Sequence, residues 1–135
     1  MKKNSEQVPV SIIIAIRNGE NSLPQLLMDL NAQDYQGEME FILVDDGSED
    51  NTKSIIQERV QKDKRFVYES SENGENSLSH KKRALDAGIS KSCNEWLLFS
   101  DVDCRLPSGW VRKMAANFTD DVDYVIGQSE IGNGG

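Results

Sequence analysis

Cysteine, histidine and proline are scarce in this sequence: its 135 residues hold two Cys, one His and three Pro. Cys93 and Cys104 make no disulfide framework, and with His80 as the sole imidazole they lack the spacing of a zinc site. Both cysteines are expected as small, partly buried apolar groups. Long hydrophobic runs are missing too. The longest, residues 12–16, falls far short of the ~20 apolar residues of a membrane helix. Met1-Lys2-Lys3 is followed by Asn4-Ser5-Glu6-Gln7 where a signal peptide has its apolar core, so no secretory signal is expected. The Asn117-Phe118-Thr119 glycosylation triplet is accordingly read as accidental. Basic charge is short: 15 Lys+Arg against 23 Asp+Glu leave a net charge of -8 and a pI near 4.6. A free-standing nucleic-acid binder shows a basic footprint, so no nucleic-acid partner is expected. A G-x-x-x-x-G-K-[ST] loop is absent, which excludes phosphate hydrolysis of the P-loop type.

What is present is one domain's worth of core. Domains most often run ~100–150 residues, and the 37% hydrophobic content is enough to bury a core, although a mean hydropathy of -0.57 marks a wet surface. Residues 8–16 are a β-branched run suited to a strand covered on both faces. Asn18-Gly19 breaks it. Ser22 and Gln25 read as a capping box, with Pro24 in the first turn and Leu23, Leu26, Leu27 and Leu30 on one stripe. A second strand is expected over 39–45, a turn at Gly47-Ser48, and a helix capped by Asp50 or Asn51 that carries Ile55, Ile56 and Val60. Residues 65–69 read as a third strand and 70–77 as a polar loop. A third helix follows with Ala84, Leu85, Gly88 and Ile89 inward. A fourth strand over 95–100 ends in Asp101-Val102-Asp103. Val111, Met114, Ala115 and Phe118 make a last helical stripe, and 124–126 a last strand. Residues 1–7 are expected as a tail, 8–128 as the folded domain and 129–135 as a disordered tail, with no internal repeat or linker.

Strand and helix alternate, which implies an α/β fold, Rossmann-like, with a mostly parallel sheet and helices on both faces. In such sheets ligands bind outside the carboxyl ends of the strands. Arg17-Asn18, Asp45-Asp46-Gly47-Ser48 and Asp101-Val102-Asp103 all fall there. Carboxylates gathered at one rim repel unless a cation sits between them. Mg²⁺ or Mn²⁺ takes oxygen ligands, commonly one or two carboxylates plus substrate phosphates. In a D-x-D at a strand end alternate side chains point the same way, so Asp101 and Asp103 can face one ligand. A lone D-x-D reads as well as a turn preference of Asp; the Asp45-Asp46 pair at a neighbouring strand end turns the reading toward a metal site. His80-Lys81-Lys82-Arg83 opens a helix, where each cation opposes the macrodipole by about 0.3–1 kcal/mol. Two readings stay open: a diphosphate at the rim supplies the missing negative charge, or the run is a solvated turn paired to Glu72 or Glu75. Trp96 and Trp110 are expected to pack the core rather than a sugar.

Five segments then carry a resemblance: Val10-Ser11-Ile12-Ile13-Ile14 with Asn18, Val44-Asp45-Asp46-Gly47-Ser48 with Asp50, Ala84-Leu85-Asp86-Ala87-Gly88-Ile89, Leu98-Phe99-Ser100-Asp101-Val102-Asp103, and Leu106-Pro107. In this order they are similar to family 2 glycosyltransferases of the GT-A fold, over about residues 8–128. The resemblance implies transfer of a sugar from a nucleotide-diphospho-sugar, a UDP-sugar foremost, with inversion at the anomeric carbon and with Mn²⁺ or Mg²⁺ as cofactor. It implies that Asp46 hydrogen-bonds the base, that Asp101 reaches ribose or sugar, and that Asp103, with Asp101, ligates the metal. Ala15, Arg17, Asn18 and Glu20 match the first nucleoside-binding loop, and Lys81 a basic position of the donor site. The family pattern Pro-x-Tyr-Asn-Glu-Glu reads here Ala15-Ile16-Arg17-Asn18-Gly19-Glu20, so Arg17 stands where an aromatic would stack on the base and offers its guanidinium plane instead. Asp86 replaces a more common Asn, and Cys104 an acidic or polar residue.

Family members carry a second half that binds the acceptor, a glycan or lipid-linked hydroxyl, and supplies the catalytic base. The chain is expected to be the donor half, cytoplasmic, with attachment to the inner membrane face left open for the full-length protein. Alone it is expected to transfer no sugar, and bare apolar surface around 124–131 is expected to pair it with itself as a homodimer. The alternatives are a nucleotidyltransferase-like enzyme, for which Arg17-Asn18-Gly19-Glu20 is a poor Gly-rich loop, and a non-catalytic nucleotide-binding module. A receiver domain is disfavoured because its acidic pair follows the first strand, whereas this first strand ends in Arg17-Asn18.

Overall fold

The β-branched stretch near the amino terminus becomes the centre of a sheet because it is apolar on both of its faces. In the computed structural model, which describes residues 8–117, β1 (Val10–Ile16) is buried at every position except the half-buried Ala15. The chain continues through α1 (Leu23–Asn31), β2 (Met39–Asp45), α2 (Thr52–Lys62) and β3 (Phe66–Ser70). A 3-10 turn (Ser71–Asn73), α3 (His80–Lys91), β4 (Trp96–Asp101) and α4 (Trp110–Ala115) complete it. The four strands pair in the order β3-β2-β1-β4, parallel throughout. In the register, Ile16 pairs with Asp45 and Ala15 with Asp101, so both aspartates end at one edge, as expected. The chain steps outward from β1 to β3 and returns across the sheet to β4, which makes the β1/β4 boundary a topological switch point.

Alternation along the strands divides the core in two. Ile12, Ile14 and Ile16, with Phe41, Leu43, Phe66 and Leu98, face the leucine stripe of α1, Ile56 of α2 and Trp110, Val111 and Ala115 of α4. Ile13, Ile42 and Val44 face Ala84 and Ala87 of α3. One face is thus covered by three helices through large side chains, the other by α3 lying close on small ones. Gly88 is what permits that approach: a Cβ there would lie 2.5 Å from Ile13 Cγ2 and 3.1 Å from Val44 Cγ2.

Several expectations are corrected. β1 starts at Val10 rather than residue 8, β3 runs one residue further on, and β4 takes in Asp101. The loop after β3 holds the 3-10 turn. The Ser22/Gln25 capping box does not form. Ser22 has helical backbone angles (φ -92°, ψ -22°) instead of the extended ones a cap requires, and Gln25 Nε2 donates to Asp29 Oδ1 at 3.0 Å. At α2, Asn51 holds the cap position without a side-chain cap, and the Asp50 carboxylate accepts from the Thr52 N–H at 2.9 Å. Ile89 is 43% exposed, because at 3.6 residues per turn it lies roughly 140° round the helix from Ala84. Ala87 takes its place inward. Cys104 is buried but Cys93, beyond the end of α3, is exposed. Trp110 is buried and Trp96 packs against the same core, as expected. Phe118, the strand over 124–126, the pairing surface over 124–131 and both tails lie outside the described residues.

Replacing Gly88 by Ala should destabilise the chain by about 1–3 kcal/mol, because the overpacking against Ile13 exceeds the ~1 kcal/mol that Ala gains in helix propensity. Urea unfolding of the two chains measures the difference; a neutral or stabilising result would mean that α3 shifts freely on the sheet.

Candidate functional site at the carboxyl edge of the sheet

The loops after β1 and β2 are fastened to each other by side chains and backbone alternately. Asp46 N–H donates to Ile16 O at 2.8 Å. Asn18 N–H donates to Ser48 Oγ (2.8 Å) while Asn18 Oδ1 accepts from Glu49 N–H (2.7 Å). Gly19 N–H donates to Thr52 Oγ1 (2.9 Å). Glu20 N–H donates to Asp50 Oδ2 (3.1 Å), and Glu20 Oε1 accepts from Asn51 N–H (2.8 Å). Asn18 adopts φ +50°, the left-handed region its short polar side chain tolerates. The side chains of Asn18 and Glu20 therefore bind the backbone of the second loop. The Asp50 carboxyl is held below its ordinary range, first by the Thr52 hydroxyl and then by the Thr52 and Glu20 N–H groups, against a smaller opposing effect of burial.

The two acids that end β2 part company. Asp45 is buried; its Oδ1 accepts from Ser48 N–H at 3.1 Å and its Oδ2 lies 3.5 Å from the Tyr68 hydroxyl. Burial, and then the negative Asp45, push the Tyr68 hydroxyl above its ordinary range. Asp46 is only half-buried, and its carboxylate has no hydrogen bond or ion pair among the described residues. Asp46 is thus the member of the pair whose carboxylate is left open to solvent.

Across β1, the switch-point side carries the other charges. Ala15 pairs with Asp101 in the register. Lys81 Nζ forms an ion pair with Asp101 Oδ1, both side chains more than half exposed (57% and 53%) and so within reach of a solute. Arg17 Nη1 lies 3.4 Å from His80 Nδ1, at the start of α3 where His80 has φ +35°. Asp103 Oδ1 accepts from Ser22 Oγ at 2.7 Å. The basic run divides between its two readings. Lys81 turns to the rim acid, whereas Arg83 donates to Glu72 O and Asn76 Oδ1 and ties down the preceding loop. Among the described residues no group of three or more His, Cys, Asp or Glu gathers as a closed metal site. Asp101 and Asp103 each offer a hard carboxylate oxygen, but β4 ends at Asp101, so the strand alternation expected to aim both at one ligand does not reach Asp103: Asp101 meets Lys81 of α3, and Asp103 meets Ser22 at the start of α1. Carboxylate oxygens suit Mg²⁺ or Mn²⁺ with substrate phosphates and water completing the shell.

Behind the rim lies a polar network that sequence reasoning missed. Buried Asp29 accepts from Arg105 Nε (2.9 Å), Leu106 N–H (3.0 Å) and Gln25 Nε2 (3.0 Å). Gln33 donates to Pro107 O (2.8 Å) and accepts from Val111 N–H (2.9 Å). The signal was available: Ser22, Gln25, Asp29 and Gln33 recur at i, i+3, i+7 and i+11, a polar stripe beside the leucine one.

Comparisons with known proteins agree with this geometry. Residues 11–135 match the family described as Glycosyl transferase family 2. The chain is 35% identical over 97 residues, 72% of its length and 24% of the relative's, to a 4,4'-diaponeurosporenoate glycosyltransferase of Staphylococcus haemolyticus. It is 30% identical over 118 residues, 86% of its length and 35% of the relative's, to an undecaprenyl-phosphate 4-deoxy-4-formamido-L-arabinose transferase of Proteus mirabilis. The crystal structure of S. aureus TarS 1-349 in complex with UDP-GlcNAc superposes with a TM-score of 0.63 at 26% identity, over 80% of this chain and 30% of that one. The chain thus spans about a quarter to a third of the length of the curated relatives it matches.

The Asp29 network carries a pH dependence. Burial alone would raise the Asp29 carboxyl, but the hydrogen bonds from Arg105, Leu106 N–H and Gln25, with the Arg105 charge, hold it below its ordinary value of 3.8. A depressed folded-state value means that this contribution is complete above the unfolded value and disappears as pH falls through the folded one. Asp29→Asn should therefore lose less stability than the parent between about pH 5 and pH 2, read from urea midpoints. Some slope persists, because Asp50 and Asp63 are depressed as well. An identical acid slope in the two chains would remove Asp29 from the account.

Proposed function

The chain belongs to glycosyl transferase family 2, and on that premise we propose that it is the donor-binding part of an enzyme that transfers a sugar from a nucleotide-diphospho-sugar to an acceptor hydroxyl. One observation carries the reading: the carboxyl edge of the sheet carries Asp46 after β2 on one side of β1, and Asp101 with its partner Lys81, followed by Asp103, at the β1/β4 switch point on the other. Each has a chemistry to perform there. The unpartnered Asp46 carboxylate accepts from the N–H groups of a base, and the Arg17 guanidinium plane stacks on it. Ala15 is small and lies beside Asp101 in the strand register. Asn18 and Glu20 hold that loop in shape through the second one. Asp101 takes ribose or sugar hydroxyls, and Lys81, ion-paired with it, offers an ammonium to the diphosphate. Asp103, with Asp101, would hold Mn²⁺ or Mg²⁺, which when bound neutralises charge on the departing diphosphate.

The donor is proposed to be a UDP-sugar, supported by the UDP-GlcNAc complex of the similar S. aureus structure. A lipid-linked acceptor is supported by the undecaprenyl-phosphate in the name of the P. mirabilis relative, and a peripheral membrane position follows from it. Among the described residues no helix is long and apolar enough to cross a membrane. Transfer is proposed as single displacement with inversion, the base coming from outside residues 8–117. Residues 8–128 are proposed as the donor domain.

Calorimetric titration of UDP into the chain, with and without Mn²⁺, tests the reading. Binding should tighten with Mn²⁺. Asp103→Ala should bind UDP equally in the presence and absence of Mn²⁺, with stability within about 0.5 kcal/mol of the parent, as for an exposed residue. Failure of UDP and the other nucleoside diphosphates to bind at millimolar concentration with Mn²⁺ would overturn it.

A further inference from the structure

Ser22 occupies the cap position of α1 and caps nothing: no backbone N–H of the first turn donates to its hydroxyl. A Ser in that position ordinarily stabilises its helix by about 1 kcal/mol through that bond. Here the hydroxyl proton goes instead across 81 residues of sequence to Asp103 Oδ1, at 2.7 Å. We propose that Ser22 is a positioning residue for the D-x-D pair, fixing the Asp103 carboxylate so that a divalent cation meets one ligand already oriented. The inference rests on the donor-site reading above.

The surroundings make the role specific. Asp103 is exposed and has no other hydrogen bond or ion pair among the described residues, so Ser22 alone restrains its rotation. The backbone that follows is fixed by the same helix and the residues just past its end, through Asp29 to Arg105 and Leu106 and through Gln33 to Pro107 and Val111. α1 therefore sets both where Asp103 sits and how its carboxylate is turned. The two D-x-D acids are held in chemically different ways. Asp101 is held by the ammonium of Lys81, whose charge competes with a metal for that carboxylate. Asp103 is held by a neutral donor on one oxygen, which leaves its negative charge uncompensated and its second oxygen free. Carboxylates that ligate metals are typically hydrogen-bonded in this way, and removing such a partner costs 10–100-fold in metal affinity, on the order seen for outer-shell groups.

The experiment uses the full 135-residue chain. Mn²⁺ binding is followed by the paramagnetic resonance of free Mn²⁺ in the presence of UDP, beside thermal unfolding of the same samples. Ser22→Ala should bind Mn²⁺ about 10–100-fold more weakly with an unchanged unfolding temperature, and Ser22→Thr, which keeps the hydroxyl, should restore the parental affinity. Parental Mn²⁺ affinity in Ser22→Ala, or a Ser22→Thr chain as weak as Ser22→Ala, would overturn the proposal. A lowered unfolding temperature in Ser22→Ala without a change in Mn²⁺ affinity would overturn it too, returning Ser22 to a capping role. A parent chain that binds neither Mn²⁺ nor UDP would overturn the donor-site reading and this inference with it, whereas a parent that binds both beside an unaffected Ser22→Ala would overturn this inference alone.

Discussion

Parallel pairing directs the carboxyl end of every strand to one edge, and in this chain the acids travel there with it. Asp45, Asp46, Asp50, Asp101, Asp103 and Glu20 all belong to that edge or to the loops that leave it. Holding each of these carboxylates in place is the constraint around which the local structure is arranged. Five of the six accept a hydrogen bond or ion pair: Asp45 from Ser48, Asp50 from Thr52, Glu20 from Asn51, Asp101 from Lys81 and Asp103 from Ser22. Most of these donors are backbone N–H groups or hydroxyls, which localise a carboxylate without cancelling its charge. The edge therefore keeps a net negative field that a cation can answer.

How far the sequence foretells this depends on the range of each interaction. The strands and the leucine stripe of α1 were legible, because burial on both faces of β1 or on one face of a helix leaves a periodic trace in the residues themselves. The rim acids were legible for the same reason, since a strand that is read correctly places its own end. Helix starts were not. Whether Ser22 caps depends on backbone angles and on a competing acceptor at Asp103, and neither is visible in the local pattern. Ile89 is apolar yet stands outside the stripe, because α3 lies flat through Ala84, Ala87 and Gly88, with Leu85 packed at its margin, and an apolar residue beside such a stripe leaves the same local trace as one within it. Asp29 escaped notice because its partners lie 76 and 77 residues away, although its spacing from Ser22, Gln25 and Gln33 was plain.

α1 emerges as a helix with two jobs on adjacent faces. Leu23, Leu26, Leu27 and Leu30 hold it to the sheet. Ser22 at its start, Asp29 within it and Gln33 just past its end hold the segment that follows β4 to it. The opposite layer works differently: α3 sits close on alanine and glycine, and its first turn carries Lys81, which meets Asp101 at the rim. A large apolar contact and a close one thus bring their helix starts to the same edge with different tolerances to substitution.

The fastening of α1 to the segment after β4 also bears on the order in which the chain gathers itself. The bonds between the first two loops close about thirty residues of chain, as in Asn18 to Ser48. Those from α1 to the far segment close between 74 and 81. Loop-closure entropy grows only slowly with length, so the longer closures cost roughly 1 kcal/mol more than the shorter ones. That difference is too small to threaten the fold, but it has a direction. The nucleoside side of the rim closes on itself at low entropic cost, while Asp103 must wait for β4 to cross the sheet and for α1 to be there to receive it. Late closure also marks the first place to open: local fluctuation will release the carboxylate edge near Asp103 before it loosens the paired loops across β1.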